Sequence, residues 1–283
     1  MTLNIQKEKV QRSMKLKLNN ISFSYNNKDR YAVLDVSLEL TEGKCYLLTG
    51  QCGSGKTTLA LLIKGLLKPS IGNMKIENSN LSLQDFQRLL GFVFQSPEEQ
   101  FFSETVIDEI SFGPRALGLQ KIEERVKKAL SLVGLPYERF GHLSPFELSS
   151  GEQRRLAIAS TVACEPYWYI FDEPTAGLDW TGKKKIVALI AKLLKEGKTI
   201  ILISQELEIF LELTDEIIIL EKGKLIKKTD VTHFISEDEP KTIEPLLPYT
   251  ARVLKILIQR GWNIPIFIMN PKEAAQIIKI YQL

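Results

Sequence analysis

The sequence predicts an α/β protein in which helices cover a mainly parallel sheet. Its second half shows this best, because apolar stretches at 168–171, 199–203 and 217–220 alternate with helical patterns. In the first half, the apolar stretch 45–49 leads through a glycine-rich loop into a helical pattern that ends near residue 64. Strands that alternate with helices in this way usually lie parallel, because a helix returns the chain to the same end of the sheet.

The segments around this core predict two further parts. Apolar and polar residues alternate at 16–23 and again at 33–40, which predicts antiparallel strands before the glycine-rich loop. Strands are also predicted at 71–76 and 90–94, and residues 96–165 have mostly helical patterns. We therefore expect an antiparallel β subdomain and a helical subdomain beside the parallel sheet.

The chain ends are expected to differ from the main domain, which covers residues 15–239. Residues 1–14 are polar and basic and show no period, so we expect a flexible extension there. Residues 240–283 are expected to form a small helical extension. Prolines are frequent where this extension begins, as they are in many linkers.

The extension is predicted to contain two helices. Gly261 is placed to end the first, while Asn270 and Pro271 fit the cap and first position of the second. Apolar side chains recur along one face of the second helix. They are Ala274, Ile277, Ile278 and Tyr281. This stripe either packs on the parent domain or contacts a partner.

Composition limits the possible function classes. The 283 residues are 44% hydrophobic and can bury the core of one or two domains. The 37 basic and 34 acidic residues nearly balance, which gives no argument for nucleic acid or an anionic membrane as a partner. Cys45, Cys52 and Cys164 lack metal-type spacing and suit a reducing cytoplasm. No apolar run approaches the roughly 18 to 20 residues that span a bilayer and no signal peptide is expected, so a membrane role would need separate subunits.

The glycine-rich loop matches the phosphate-binding pattern G-x-x-x-x-G-K-[ST]. Its residues are Gly50, Gln51, Cys52, Gly53, Ser54, Gly55, Lys56 and Thr57, with Thr58 next in the helix. The glycines let main-chain N–H groups converge on anionic oxygens, and the helix adds its positive N-terminal dipole. Lys56 would reach the β- and γ-phosphates, and the Thr57 hydroxyl would help to hold Mg²⁺. The loop predicts a nucleoside triphosphate site.

Two other segments predict parts of the same site. Asp172 and Glu173 follow an apolar strand, at the end of the sheet where α/β proteins bind ligands. Asp172 would hold Mg²⁺ through water, and Glu173 would act as the general base toward the attacking water. The small polar residues before the helix 156–162 predict a second anion site made of amides and a hydroxyl. They are Ser149, Ser150 and Gly151, followed by Glu152.

Together with Gln95 and Asp179, these motifs stand in the order found in ATP-binding cassette ATPases, and the sequence resembles that family from about residue 15 to its end. The segments 94–102, 105–106 and 111–114 and the C-terminal extension resemble the energy-coupling factor subgroup, which includes cobalt and nickel importers. The resemblance implies a P-loop cassette fold, ATP and Mg²⁺ as the bound species, and a position at the cytoplasmic face of a membrane.

The resemblance also implies roles for further residues. Two cassettes would close head to tail on ATP, so that residues 149–152 of one chain face the phosphate loop of the other. Tyr25 would stack on the adenine ring, and Gln95 would sense Mg²⁺ and the attacking water. Asp179 would span the seam between the two chains.

The chain departs from the family pattern at two places. Where the family usually has a histidine that contacts the γ-phosphate, this chain has Gln205. A neutral amide in place of a charge-assisted donor is expected to lower the rate about tenfold or somewhat more. Ser150 replaces a glycine and Glu152 replaces a glutamine, changes that would affect the partner's nucleotide. Because the departures touch two different sites, a heterodimer is favoured over a homodimer.

The segment 96–110 is acidic and contains no basic residue. Its acidic residues are Glu98, Glu99, Glu104, Asp108 and Glu109. This bias is typical of a solvated surface, but it also fits a docking site for positively charged helices of a membrane transducer subunit. Phe101 and Phe102 would supply the apolar part of that contact. In the resembled family, another membrane protein captures the substrate.

Three interpretations follow. The first is the ATPase subunit of an importer for a vitamin or a transition-metal ion. The second is a soluble cassette ATPase that acts on nucleic acid or ribosomes. The third, motivated by Gln205, is a nucleotide-binding regulatory partner that does not hydrolyse ATP. The sequence leaves the transported substrate open, because specificity in this family resides in another polypeptide.

Overall fold

The computed structural model describes residues 13–25, 30–96, 100–236, 244–265, 268 and 271–281, and this part of the chain contains two β-sheets flanked by helices. The strands are β1 (Lys15–Phe23), β2 (Val33–Thr41), β3 (Cys45–Thr49), β4 (Ile71–Glu77), β5 (Gly91–Val93), β6 (Trp168–Asp172), β7 (Thr199–Ile203), β8 (Glu216–Glu221) and β9 (Lys224–Asp230). The helices are α1 (Lys56–Lys64), α2 (Leu83–Leu89), α3 (Val106–Ala116), α4 (Ile122–Val133), α5 (Tyr137–Phe140), α6 (Ser150–Ala163), α7 (Trp180–Lys195), α8 (Leu207–Phe210), α9 (Val231–Ser236), α10 (Tyr249–Gln259) and α11 (Pro271–Tyr281). None of the described helices is both long enough and apolar enough to cross a bilayer.

The larger sheet positions the site. Its strand order is β5-β6-β7-β3-β8-β9, and all neighbours are parallel except β8 and β9. Strand β7 lies between β3 and β6, with Cys45 opposite Ile200 and Asp172 opposite Ile203. Because parallel strands end at the same edge, the segments after β3, β6 and β7 meet there. The predicted parallel sheet is confirmed.

The parallel strands are apolar on both faces because each face packs on a separate core. In β6, Tyr169 and Phe171 pack toward the helices α3, α4, α6 and α7. Trp168 and Ile170, which alternate with them, pack toward α1 and the smaller sheet. Side chains in a strand point alternately to opposite faces, so a strand covered on both sides reads as one continuous apolar run.

The other predicted parts are also present. The smaller sheet has the order β2-β1-β4 and is antiparallel throughout, as predicted for the residues before the phosphate loop. The helices α3 to α6 lie within 96–165, in agreement with the helical pattern there. The side chain of Thr105 caps α3 by accepting a hydrogen bond from the Asp108 amide.

Some elements were not predicted from the sequence. Helix α2, capped by Ser82, is short and has only Phe86 buried, so its apolar periodicity is weak. Strand β9 is lysine-rich and lies at the sheet edge, where charges prevent further strand pairing. The helical pattern between β7 and β8 is divided into α8 and a 3₁₀ turn at Leu211–Leu213.

The C-terminal helices have a small core of their own. Leu254 of α10 is buried with Ile264, Ile268 and Ala274. Leu247 and Ala251 pack instead into the core that contains α3, α4, α6 and α7. Helix α10 ends before Gly261, whose φ of +90° is left-handed, and α11 begins at Pro271, as predicted. The predicted cap Asn270, the side chain of Tyr281 and most of the predicted extension 1–14 lie outside the described residues.

Candidate nucleotide-binding site

Two glycines fix the path of the phosphate loop between β3 and α1. Gly50 has a φ of +144°, and a Cβ there would lie 2.1 Å from the carbonyl oxygen of Leu220. Gly55 has a φ of +100°, and a Cβ there would lie 2.3 Å from the carbonyl oxygen of Ala32. The loop therefore packs against two other backbone segments so closely that these positions require glycine.

The Lys56 ammonium lies inside the loop. Its Nζ donates to the carbonyl oxygens of Gly50 and Gln51, each at 2.9 Å, and lies 3.4 Å from the Ser54 hydroxyl. Burial lowers the pKa of Lys56, and the nearby Glu173 and Asp172 oppose that shift. The loop thus holds one positive charge at the place where phosphate oxygens are expected.

Thr57 and Asp172, two of the three residues predicted to hold Mg²⁺ together with Gln95, contact each other directly. The Thr57 hydroxyl donates to Asp172 Oδ2 at 2.8 Å. Asp172 is 1% exposed, and this burial raises its pKa against the opposing effects of the Thr57 hydrogen bond and the Lys56 charge. A hydroxyl and a carboxylate are oxygen donors that suit Mg²⁺, which commonly binds one or two protein groups plus phosphates and water. The described residues contain no cluster of three or more His, Cys, Asp or Glu side chains that could bind a metal alone.

Glu173 has an unusual backbone conformation. Its φ of +48° is left-handed, which costs a non-glycine residue on the order of 1–3 kcal/mol. Its amide donates to the Ile203 carbonyl at 2.9 Å, and the Ser204 hydroxyl donates to Oε2 at 3.4 Å. Burial and the nearby Asp172 raise the pKa of Glu173, while Lys56 and the Gln205 amide oppose the rise. A raised pKa makes the carboxylate a stronger base.

Gln205 is exposed beside this glutamate, and its neighbours anchor its segment. The Glu206 carboxylate accepts a hydrogen bond from Thr175 at 2.9 Å and forms an ion pair with Lys183. The Glu206 amide donates to the Ser204 hydroxyl at 3.0 Å. Sequence reasoning did not single out these anchoring residues, because their partners come from α7 and from the loop after β6.

Tyr25 lies close to the start of α1. Its hydroxyl is 3.1 Å from the Thr58 hydroxyl, and its ring contacts Phe23 edge to face at 4.9 Å between centroids. Tyr25 is 60% exposed, so its side chain is accessible for stacking. The structure thus places Tyr25 and Thr58 together at the loop, and the adenine contact stays a prediction.

The segment 149–152 forms the start of α6. The amide and hydroxyl of Ser149 donate to Glu152 Oε2 at 2.9 Å and 2.7 Å, which completes a capping box. These two hydrogen bonds lower the pKa of Glu152. Gly151 is not left-handed, and a Cβ there would make ordinary contact with Leu178 at 3.4 Å. The hydrogen bonds of this segment therefore organise a helix start, and contact with a partner's nucleotide remains a prediction.

Asp179, the predicted seam residue, also begins a helix. Its Oδ1 accepts from the Gly182 amide at 2.7 Å, which caps α7. The Asp179 side chain is exposed, and the next residue, Trp180, is 66% exposed.

Arg154 connects three parts of the site and was not recognised in the sequence. From α6, it donates to the carbonyl oxygen of Glu173 at 2.9 Å and to that of Gln95 at 2.8 Å. The side chain of Gln95 is itself exposed. In the sequence, the one indication that Arg154 belongs to the site is its position, one turn after Ser149–Gly151.

The predicted docking segment is corrected at two residues, because both Phe101 and Glu109 are buried. Glu109 is 7% exposed, and its Oε2 accepts from the amides of Phe102 and Ser103 at 3.2 Å and 3.0 Å. Its carboxylate therefore stabilises its own loop. Phe101 is buried and Phe102 is 62% exposed, while Glu98 and Glu99 lie outside the described residues.

A groove of about 790 Å³ lies beside these phenylalanines. Its walls come from α3 and α6 on one side and from the ends of α1, α2 and β5 on the other. Phe112 and Leu117, both largely exposed, contribute apolar surface to it, and Phe112 contacts Phe102 edge to face at 4.8 Å. Exposed apolar surface of this kind is typical of a protein contact.

Comparison with known proteins agrees with this geometry. The family model described as ABC transporter matches residues 33–176. The energy-coupling factor transporter ATP-binding protein EcfA2 of Clostridium tetani is 37% identical over 281 residues, covering 95% of this chain and 98% of the relative. A solved structure of cbiO1 from Clostridium perfringens, described as part of the ABC transporter complex cbiONQ, superimposes with a TM-score of 0.69 at 29% identity. That alignment covers 86% of this chain and 100% of cbiO1. The cassette MJ0796, solved as a dimer in a post-hydrolysis state with ADP and Pi, has a TM-score of 0.68 at 28% identity, covering 76% and 98% of the two chains.

Proposed function

This chain belongs to the ATP-binding cassette transporter family as one of its ATPases, and we propose that it powers an energy-coupling factor importer for a vitamin or a transition-metal ion. The observation that carries its ATPase chemistry is the hydrogen bond from Thr57 to Asp172. The charges of Lys56 and Glu173 lie close to this pair. The assignment to this importer class is supported by the similarity to EcfA2, which extends over nearly the whole chain.

The site residues divide the work of hydrolysis. Lys56 exchanges its bonds to loop carbonyls for bonds to the β- and γ-phosphates, and the loop amides bind the remaining oxygens. Glu173 accepts a proton from the attacking water, and the Ser204 hydroxyl and the main-chain N–H of Gln205 orient its carboxylate. The side-chain amide of Gln205 donates a hydrogen bond to the γ-phosphate. Tyr25 holds the adenine ring.

Mg²⁺ bound with ATP would be held by Thr57 and Gln95 and, through water, by Asp172. It supplies electrostatic stabilisation of charge on the transferred phosphoryl group. The short Thr57–Asp172 contact supports this assignment, because the two oxygen ligands already lie next to each other.

Two cassettes are proposed to close on ATP, with Ser149–Gly151 and Asp179 at the seam. The dimer of MJ0796 with ADP and Pi supports the arrangement by analogy of fold. Gln205 weakens this chain's own site, whereas Ser150 and Glu152 alter the partner's site, so we propose a heterodimer. Turnover by the purified chain alone should fall well below that of the mixed complex. Equal rates would contradict the heterodimer.

The groove beside Phe102 and Phe112 is proposed to dock the membrane transducer subunit. The exposed phenylalanines supply apolar contact, and Glu98 and Glu99 supply negative charge for basic helices. Replacing both glutamates by lysine should release the ATPase from the membrane fraction while ATP binding persists. Unchanged membrane association would contradict this docking site.

The test of the proposed function uses a tagged chain purified from native membranes. It should retain a small, very hydrophobic membrane subunit and a second cassette, identified by mass spectrometry, and hydrolyse ATP when Mg²⁺ is present. Lys56→Ala should abolish hydrolysis and nutrient uptake by cells, because it removes the charge that neutralises the phosphates. Lys68→Ala, at an exposed position just after the same helix, is the control that leaves ATP binding intact. Undiminished uptake with Lys56→Ala would exclude the proposal.

A second candidate function is a nucleotide-binding half that does not hydrolyse ATP. Gln205 favours it, because an amide cannot carry the positive charge of a protonated histidine. Phosphate release from a complex whose partner cassette has lost its own catalytic glutamate decides between the two functions. Release from that complex supports hydrolysis at this chain's site, and its absence supports the regulatory function.

A further inference from the structure

The side chain of Arg154 joins two main-chain segments that leave neighbouring strands. One of its terminal nitrogens donates to the Glu173 carbonyl at 2.9 Å, after β6, and the other donates to the Gln95 carbonyl at 2.8 Å, after β5. The guanidinium is planar, so its two terminal donors keep a fixed separation and direction. The contact therefore fixes the two carbonyls relative to each other as well as to α6.

The backbone of Glu173 depends on contacts of this kind. Its left-handed φ of +48° persists in a non-glycine residue only when the surroundings hold it. The amide of Glu173 donates to the Ile203 carbonyl at 2.9 Å, and its carbonyl accepts from the Ala176 amide at 3.2 Å in addition to Arg154. Both ends of this residue are thus held, and Arg154 is the contact that reaches it from the helical subdomain.

The position of Arg154 on α6 adds a connection. It lies one turn after Ser149–Gly151, the segment proposed to contact the nucleotide of the partner cassette. The same rigid helix thus begins at the proposed dimer seam and, one turn later, holds the backbone of this chain's own Glu173.

We propose that Arg154 is a positioning residue for hydrolysis, which holds Glu173 in the conformation that accepts the proton and links it to α6 and the Gln95 segment. The proposal rests on the proposed function, in which Glu173 is the base. A misplacement of about 1 Å can lower a rate about 10²-fold. Loss of the Arg154 contact should therefore lower kcat about 10- to 100-fold and leave KM for ATP nearly unchanged, because no phosphate contact is removed.

The first experiment compares Arg154→Ala and Arg154→Lys in the tagged complex, with the partner cassette's own catalytic glutamate replaced. Lysine should restore only part of kcat, because an ammonium lacks the planar fork that spans both carbonyls. Arg125→Lys is the matched control, since Arg125 also donates to main-chain carbonyls, those of Gln120 at 2.9 Å and Ala163 at 3.3 Å. It should keep the kcat of the parent complex. An equal loss in this control, or no loss with Arg154→Ala, would overturn the proposal.

A double-mutant cycle separates positioning of Glu173 from general damage. Arg154→Ala should lower kcat strongly when Glu173 is present and less than about twofold in the Glu173→Gln background, because the group that it positions is gone. The same fold loss in both backgrounds would overturn the proposal. If Glu173→Gln alone kept full activity, the assignment of Glu173 as base would fail, which is a different and recognisable result.

Hydrogen exchange gives a readout that does not need turnover. In the peptide 168–178, Arg154→Ala should accelerate exchange of the amides of Glu173, Thr175 and Ala176, and Arg125→Lys should not. Unchanged exchange in Arg154→Ala would mean that Arg154 does not hold this backbone, and the proposal would be wrong.

Discussion

At the scale of single residues, the site is built from groups held in costly states. Lys56 and Asp172 are both buried, Glu173 has a left-handed backbone, and Gly55 fits against a neighbouring carbonyl where any side chain would clash. Burial lowers the pKa of the lysine and raises the pKa values of the two acids, and the attraction between Lys56 and each acid opposes these shifts. Such arrangements are typical of functional sites, since they oppose stability and favour reactivity.

The Gln205 position gives the first prediction. Gln205→His should raise kcat about tenfold, because a protonated imidazole makes a stronger, charge-assisted bond to the γ-phosphate. Phosphate release at saturating ATP, with the partner cassette inactivated, measures the effect.

The control for this prediction is Gln205→His together with Glu173→Gln, in which no rise is expected. A kcat that is unchanged or lower in Gln205→His alone would show that the glutamine does not limit the reaction.

At the scale of elements, two helix starts in the same subdomain use the same capping device for different surroundings. Ser149 and Glu152 cap α6, and Ser144 and Glu147 cap the 3₁₀ turn just before it. In both, the glutamate accepts from the amide of the serine, at 2.9 Å and 2.8 Å. Only the Ser149–Glu152 box belongs to the segment proposed to face ATP. A comparison of substitutions in the two boxes therefore separates effects on folding from effects on function.

The second prediction concerns this cap. Glu152→Ala should lower the free energy of unfolding by about 1 kcal/mol at pH 7, and Glu152→Gln should lower it less, because the amide oxygen still accepts. The pKa of Glu152 is lowered in the folded state, so the charge contributes stability above its ordinary value of 4.5, and the contribution is lost as pH falls through the lowered pKa. Urea unfolding over a pH series should therefore show that the parent chain and Glu152→Gln differ in free energy of unfolding at neutral pH and no longer differ in acid.

Glu147→Gln serves as the control, with a similar small effect on unfolding and no effect on ATP turnover. If the difference in free energy of unfolding between the parent chain and Glu152→Gln grew as the pH fell, the capping explanation would be wrong.

At the scale of the whole molecule, α10 connects two cores. Ala251 of α10 and Leu247 just before it belong to the large core that supports the site, whereas Leu254 belongs to the small core with Ile264 and Ala274. The small core buries few side chains, so it is expected to open at a lower free energy than the cassette. The C-terminal unit is thus attached to the cassette and stabilised separately.

The third prediction tests this separation. Leu254→Ala should accelerate hydrogen exchange across 249–281, because it leaves a cavity in the small core, while ATP affinity remains unchanged. Val253→Ala, at a neighbouring position that is 49% exposed, should change neither the hydrogen exchange nor the ATP affinity. Loss of ATP binding in Leu254→Ala would show that the two cores fold as one unit.

Local patterns determined the phosphate loop, the acidic pair after β6 and the succession of strands and helices, because each depends on neighbouring residues in the chain. They could not determine which distant groups meet. The Thr57–Asp172 contact, the fork of Arg154 on Gln95 and Glu173, and the inward carboxylate of Glu109 depend on strand order and packing. That order places β7 between β3 and β6, and no periodicity within a strand specifies its neighbours. The sequence therefore determined the chemistry available to this protein, and the tertiary structure decided which groups act together.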